Sequence, residues 1–130
     1  MNIPSVLAVD DNLDNVQLIS YVLEVMNVRC YGTKDSRKVA KLAIDIMPKL
    51  ILLDIVMPVL SGFDILKQLK SNKITKNIPV IAVTGLVDLA EETQLQKAGF
   101  DDYIYKPFVL EELEAKIARH LNYSLLESVA

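Results

Sequence analysis

The chain has 130 residues, 52% of them hydrophobic, and a formal net charge of -3 from 14 basic and 17 acidic side chains. That length supports one core able to fold alone and leaves no room for a second domain, while the lack of a cationic excess argues against DNA or RNA as a partner. The first apolar run is too short for a secretory signal and no later run approaches a membrane span, so a cytoplasmic protein without membrane contact is expected.

In chain order, Ser5 to Val9 reads as a strand that ends on Asp10-Asp11. Leu13 to Met26 follows with helical spacing; Leu18, Ile19, Val22, Leu23 and Met26 form its inward stripe, which leaves Leu13 and Val16 on another face near the acidic strand end. Val28 to Gly32 is the second strand and Ser36 to Ile46 the second helix, with Asp35 or Ser36 as its cap. Cys30, the only cysteine, excludes an internal disulfide and reads as a buried, inert thiol. Leu50 to Leu53 is an entirely apolar strand running into Asp54, followed by a helix from Phe63 to Ser71 capped by Ser61. Val80 to Val83, equally apolar, runs into Thr84; the helix Leu89 to Ala98 stops at Gly99. Tyr103 to Tyr105 is the fifth strand, then come Lys106-Pro107 and a last helix, Leu110 to Leu121. The domain is expected over residues 1–122, with residues 123–130 as a tail too short to act as an effector.

Strict alternation of strand and helix demands a parallel sheet with helices on both faces, because right-handed crossovers are the common connection. Ligands of such sheets bind beyond the carboxyl ends of the strands, where strand order reverses. Those ends carry Asp10, Asp11, Asp54, Thr84 and Lys106. Three carboxylates in one pocket repel one another unless a cation sits among them, and hard oxygen donors without nearby His or Cys favour Mg²⁺, with Mn²⁺ as the alternative. Mg²⁺ takes few carboxylates and works alongside phosphate oxygens, so a spare carboxylate suggests a nucleophile for phosphoryl transfer, with Thr84 and Lys106 stabilising the charge on the transferred group.

The segments AVDDN, LLDIVMP, AVTG and DDYIYKPF stand in the order and spacing of the bacterial two-component receiver (response-regulator) family, and the resemblance covers residues 5 to 121. It implies a flavodoxin-like doubly wound sheet of five parallel strands in the order 2-1-3-4-5 with five helices. It implies that Asp54 accepts the phosphoryl group, that Asp11 and Asp54 ligate Mg²⁺ together with the backbone carbonyl of Val56, and that Asp10 holds the ion through water. Thr84 and Lys106 would contact the phosphoryl oxygens, Tyr103 would be the aromatic switch, and Lys106-Pro107 would be a cis peptide. A sensor histidine kinase or histidine phosphotransfer protein would be the donor, docking on Leu13 and Val16, and a downstream protein target would read the face formed by the fourth helix, fifth strand and fifth helix. A monomer or weak dimer is expected.

Each of these residues has a plainer reading: loop aspartates cap helices, Thr84 and Lys106 suit ordinary turns, and aromatics such as Tyr103 fill strands. Capping does not explain Asp54, because the next helix begins only near Ser61. His120, on the last helix, reads as a solvated helix-end histidine away from the acidic edge. Ser61 stands where many receivers carry Asp and caps equally well. Val56 and Leu86, two residues after Asp54 and Thr84, are apolar and orient no attacking water, which predicts slow self-dephosphorylation.

Three rivals share part of the pattern. A haloacid-dehalogenase-type phosphohydrolase wants an acid where Val56 stands. A flavodoxin-like cofactor binder wants a phosphate-binding loop where Asp10-Asp11-Asn12-Leu13-Asp14 would repel phosphate. A non-phosphorylated pseudo-receiver would have lost part of the acidic and lysine set, which is complete here. The chain is thus expected to be a signalling phosphoacceptor and not a turnover enzyme. Met1 close to the first strand favours a stand-alone protein over a receiver segment of a hybrid histidine kinase.

Overall fold

Every residue of Leu50–Asp54 and Val80–Thr84 is buried, and a strand covered on both faces must lie inside a sheet flanked by two layers of helix. The computed structural model, which describes residues 3–85 and 89–122, has that architecture. Strands β1 (Ser5–Val9), β2 (Arg29–Thr33), β3 (Leu50–Asp54), β4 (Val80–Thr84) and β5 (Asp102–Tyr105) pair in parallel in the order β2-β1-β3-β4-β5. The helices are α1 (Leu13–Val25), α2 (Val39–Ile46), α3 (Gly62–Lys70), α4 (Leu89–Ala98) and α5 (Leu110–Leu121). Among the described residues no helix is long and apolar enough to cross a membrane.

The two-residue period of each strand sorts its side chains between two cores. Val6 and Ala8 join Leu52, Ile81, Val83 and Ile104 against Ile19, Val22 and Leu23 of α1 and Leu113 and Ile117 of α5. Leu7, Val9, Ile51, Leu53 and Ala82 face the other way, onto Ala43 of α2, Ile65, Leu66 and Leu69 of α3, and Leu95 of α4. Because β1 continues to β2 on one side while β3 pairs it on the other, a crevice opens beyond the carboxyl ends of β1 and β3.

The expected second helix is shorter than its apolar spacing suggests. Ser36–Lys38 forms a single 3₁₀ turn and the α-helix begins at Val39. Asp35 caps that turn, accepting from the Arg37 amide, and Ser36 is drawn into the interior instead of facing solvent as a cap. Ser61 caps α3 as expected, in a reciprocal box with Asp64. Gly99 closes α4 at φ 108°, a conformation that a side chain would strain.

Val16 differs from its sequence reading as a free apolar residue. It is half-buried, and a Cβ on Gly32 of β2 would lie 2.6 Å from Val16 Cγ1, so the valine rests on the bare glycine backbone. Leu13 keeps its exposure, at 55%.

Gly62 opens α3 hard against the strand that delivers Asp54: a Cβ there would stand 2.8 Å from both the Asp54 carbonyl oxygen and Ile55 Cα. Backbone atoms cannot give way as a side chain can. Gly62→Ala should destabilise the protein by about 1–2 kcal/mol in urea unfolding, the overpacking cost exceeding the helix-propensity gain; equal stability would show that α3 is free to shift.

Candidate functional site

The crevice gathers the expected acids. Asp10 follows β1 at 1% exposure and Asp54 ends β3 at 3%, while the neighbouring Asp11 faces solvent. One carboxylate oxygen from each of the three lies within 4.8 Å of the others. Lys106, just past β5, places its Nζ 3.0 Å from Asp10 Oδ2 and 3.0 Å from Asp54 Oδ2. Its backbone amide donates to the Thr84 carbonyl at 2.8 Å, and the Lys106-Pro107 bond is cis, as expected.

Local donors fix the carboxylates. Asp10 Oδ1 accepts from the Asn12 amide at 2.9 Å and Asp10 Oδ2 from Asn15 Nδ2 at 3.2 Å. Asn12 also caps α1, accepting from the Asp14 amide at 2.9 Å. Asp54 Oδ1 accepts from the Val56 amide at 3.1 Å, and the Val56 side chain is 66% exposed at the rim.

Asp10 and Asp54 share one ammonium, and the balance is visible in the proton affinities of Asp54 and Lys106. Burial lifts the Asp54 carboxyl above its ordinary range and the charge of Asp10 adds to this, against the opposing pull of Lys106. Burial alone would lower the Lys106 ammonium, yet its bonds to Asp10 and Asp54 outweigh that and raise it. The pocket is therefore short of positive charge, and its donor set is all oxygen. Those two properties suit a hard divalent cation.

The β3–α3 loop that borders the site is held from across the molecule. Ser36 Oγ donates to the Pro58 carbonyl at 2.7 Å and accepts from the Leu60 amide at 3.2 Å. The Leu60 amide also reaches the Pro58 carbonyl at 2.9 Å, closing a γ-turn around Val59, whose φ is 73°. A β-branched residue in that region is strained, and the 2%-exposed Ser36 hydroxyl clamps both sides of it.

Thr84 is buried at the end of β4, and its hydroxyl donates to Glu91 Oε1 of α4 at 3.2 Å. The Tyr105 hydroxyl donates to Glu92 Oε1 of the same helix turn, a bond that raises the phenol far above its ordinary range. Tyr103 is half-buried, with its ring 5.4 Å from that of Tyr105 and Lys116 Nζ 4.9 Å above it. Leu86 lies outside the described residues, as do residues 123–130.

His120 corrects its sequence reading. Its side chain is only 15% exposed, and Nε2 lies 3.0 Å from Asp102 Oδ2 at the opposite end of β5 from the acidic pocket. Lys116 Nζ bonds Asp102 Oδ1 at 3.2 Å and also the Tyr103 carbonyl. Cys30 is half-buried, and burial pushes its thiol above the ordinary value, as an inert thiol requires.

The open doubly wound sheet thus gathers three acids and a lysine at its switch point, with a cis proline following the lysine. A family model described as response regulator receiver domain matches residues 6–118, and the chain belongs to that family. The polar-differentiation response regulator DivK of Brucella ovis is 32% identical over 118 residues, 91% of this chain and 96% of that protein. The DNA-binding dual master transcriptional regulator RpaA of Synechocystis is 33% identical over 114 residues, 88% of this chain and 47% of RpaA. This chain spans half or less of the first curated relatives it matches. The receiver domain of a sensor histidine kinase from Pseudomonas aeruginosa, solved with a magnesium ion coordinated in its active-site cleft, is similar at a TM-score of 0.84 and 26% identity, covering 93% of this chain and 99% of that one. Receiver domains act in two-component signalling, bind Mg²⁺ at an acidic pocket, and interact with histidine kinases or phosphotransfer proteins and with downstream targets.

Burial would lift the Asp102 carboxyl, but bonds from His120, the Tyr103 amide and Lys116 overcome it and hold the group below its ordinary value. A depressed carboxyl stabilises the fold above its unfolded value, about pH 3.9, and that contribution is lost as pH falls through the folded value. Asp102→Asn should therefore lower stability at pH 6, with the gap to wild type narrowing as pH falls below about 4 in urea titrations; a gap that widens on acidification would contradict the cluster's charge.

Proposed function

We propose that this chain is a phosphoacceptor switch in which Asp54 takes a phosphoryl group from a phosphohistidine on a sensor histidine kinase or phosphotransfer protein. The observation that carries the reading is the Asp54 carboxylate, 3% exposed and 3.0 Å from a lysine it shares with Asp10. In the transfer an Asp54 oxygen attacks phosphorus, the P–N bond to the donor imidazole breaks, and its electron pair returns to that nitrogen. Asp10, Asp11, Asp54 and the Val56 carbonyl would hold Mg²⁺, or Mn²⁺ in its place. A bound ion would supply charge neutralisation for the transferred oxygens. Lys106 adds a cation and Thr84 a hydroxyl donor to the same oxygens.

The protein in this reading catalyses only its own phosphorylation and slow dephosphorylation. Leu13, exposed beside the pocket, supplies apolar contact to the donor's helices, while Val16 contributes mainly to packing on β2. Thr84 and Tyr103 transmit the charge change to the α4-β5-α5 face, where a downstream protein binds.

Mass spectrometry after incubation with acetyl phosphate tests this directly. A gain of one phosphoryl group that needs Mg²⁺ and is absent in Asp54→Asn is expected; no gain under any condition would favour a receiver-like interaction module that is never phosphorylated. A second measurement concerns lifetime. Val56 offers no hydrogen bond to a water approaching Asp54, so Val56→Asn should shorten the half-life of the phosphorylated form by roughly tenfold, the low end of what positioning a reactant contributes. An unchanged decay would remove the side chain at that position from the hydrolysis.

A further inference from the structure

Thr84 and Tyr105 are direct partners across β4 and β5, and two consecutive carboxylates of α4 take their hydroxyls: Glu91 accepts from Thr84 at 3.2 Å, and Glu92 accepts from Tyr105. We infer that Glu91 is a positioning residue for phosphorylation: it holds the Thr84 hydroxyl proton in the resting state and so competes with the phosphoryl group for it. The inference rests on the reading of Asp54 as phosphoacceptor.

The argument is a proton count. A threonine hydroxyl has one hydrogen to give, and an ionised carboxylate can only accept, so the Thr84–Glu91 bond runs in one direction. A phosphoryl group on Asp54 brings oxygens that are likewise acceptors. Asp54 pairs with Val83 across β3 and β4, so Thr84 is the next residue along the neighbouring strand, at the same end of the sheet. Thr84 can serve Glu91 or the phosphoryl group with its proton, not both. Glu91 is half-buried and Thr84 is 1% exposed, so the bond is partly sheltered from water, and its 3.2 Å length makes it a bond that a closer phosphoryl oxygen can displace.

The same bond fastens α4. From Ala90 to Ala98 this helix buries only Leu95; its other residues are exposed or half-exposed. Among the described side chains of α4 that single leucine is the buried apolar contact, and the carboxylates of Glu91 and Glu92 add polar tethers to β4 and β5. Moving the Thr84 proton to a phosphoryl oxygen releases that tether and leaves the Glu92–Tyr105 bond in place. A plainer role exists for Glu91, since acids in a first turn favour the helix dipole whatever they touch. The two roles differ in one respect: a dipole effect does not depend on the Thr84 hydroxyl.

A double-mutant cycle separates them. The probe is beryllofluoride titrated in the presence of Mg²⁺, its affinity read from NMR shifts of the full chain, with thermal unfolding recorded for every variant. Glu91→Ala should tighten beryllofluoride binding by about three- to tenfold, the scale of a partly exposed hydrogen bond to a charged group. Glu91→Gln, which keeps an acceptor without the charge, should fall between it and wild type. In a Thr84→Val background, Glu91→Ala should leave the affinity unchanged. Wild-type affinity in both Glu91 variants, or the same tightening with and without the Thr84 hydroxyl, overturns the inference. Failure of the wild-type chain itself to bind beryllofluoride would remove the phosphoacceptor reading and the Glu91 role with it, and so is distinct from failure of Glu91 alone.

Discussion

Two buried carboxylates share one ammonium, and the order of the sheet exists to bring them to it. Asp10 and Asp54 sit at the ends of adjacent strands, and Lys106 reaches both at 3.0 Å from beyond β5, which lies two places from β3 and three from β1. Lys106 arrives there because its amide is bound to the Thr84 carbonyl, which ties the loop after β5 to the end of β4. Removing Lys106 leaves two carboxylates unpaired in a poorly hydrated place, where an unpaired ion costs several kcal/mol, whereas removing either acid leaves the other paired with the ammonium. The shortage that remains, with Asp54 still raised by burial and by Asp10, is what makes the pocket receptive to a further cation.

That arrangement holds its position because the strands beneath it cannot slide. A slip of one residue would exchange the two cores, sending Leu7 and Leu53 to the face packed by α1 and α5 and Ala8 and Leu52 to the other. Gly62 adds a second constraint, since only a residue without Cβ lets α3 approach the carbonyl of Asp54 this closely. Ser36 adds a third by clamping the γ-turn at Val59, an interaction that spans 22 to 24 residues of chain.

The sheet and the principal site were legible in the sequence for one reason: strand ends are marked by an abrupt change from apolar to polar residues, and Asp10, Asp54, Thr84 and Lys106 each stand at such a change. Asn12 and Asn15, which hold Asp10, carry a weaker mark: an Asn two residues after an Asp at a helix start is a local signal that short-range turn chemistry can find. Ser36 and His120 were not recoverable that way. Their partners, Pro58 and Leu60 for one and Asp102 for the other, come from different elements, and no spacing rule connects them. Val16 was misplaced because a helical stripe takes no account of a glycine in the facing strand, which lets a flanking valine settle inward.

The two helices of the α4-β5-α5 face are attached in opposite ways, and this bears on which of them can respond to the pocket. Helix α5 buries Leu113, Ile117 and Ala118 and binds β5 through Lys116 and His120 to Asp102 and through Lys116 to the Tyr103 carbonyl. These contacts lie at the end of β5 away from the acids, so a charge change at Asp54 does not compete for any of them. Helix α4 buries Leu95 and depends on hydroxyls carried by the strand ends at the pocket. A phosphoryl group on Asp54, as proposed above, would draw on a hydroxyl that tethers α4 and on none of the contacts that hold α5 to Asp102. Tyr103, whose carbonyl is bound by Lys116 of α5 and whose ring lies 5.4 Å from that of Tyr105, stands between the two sets of contacts.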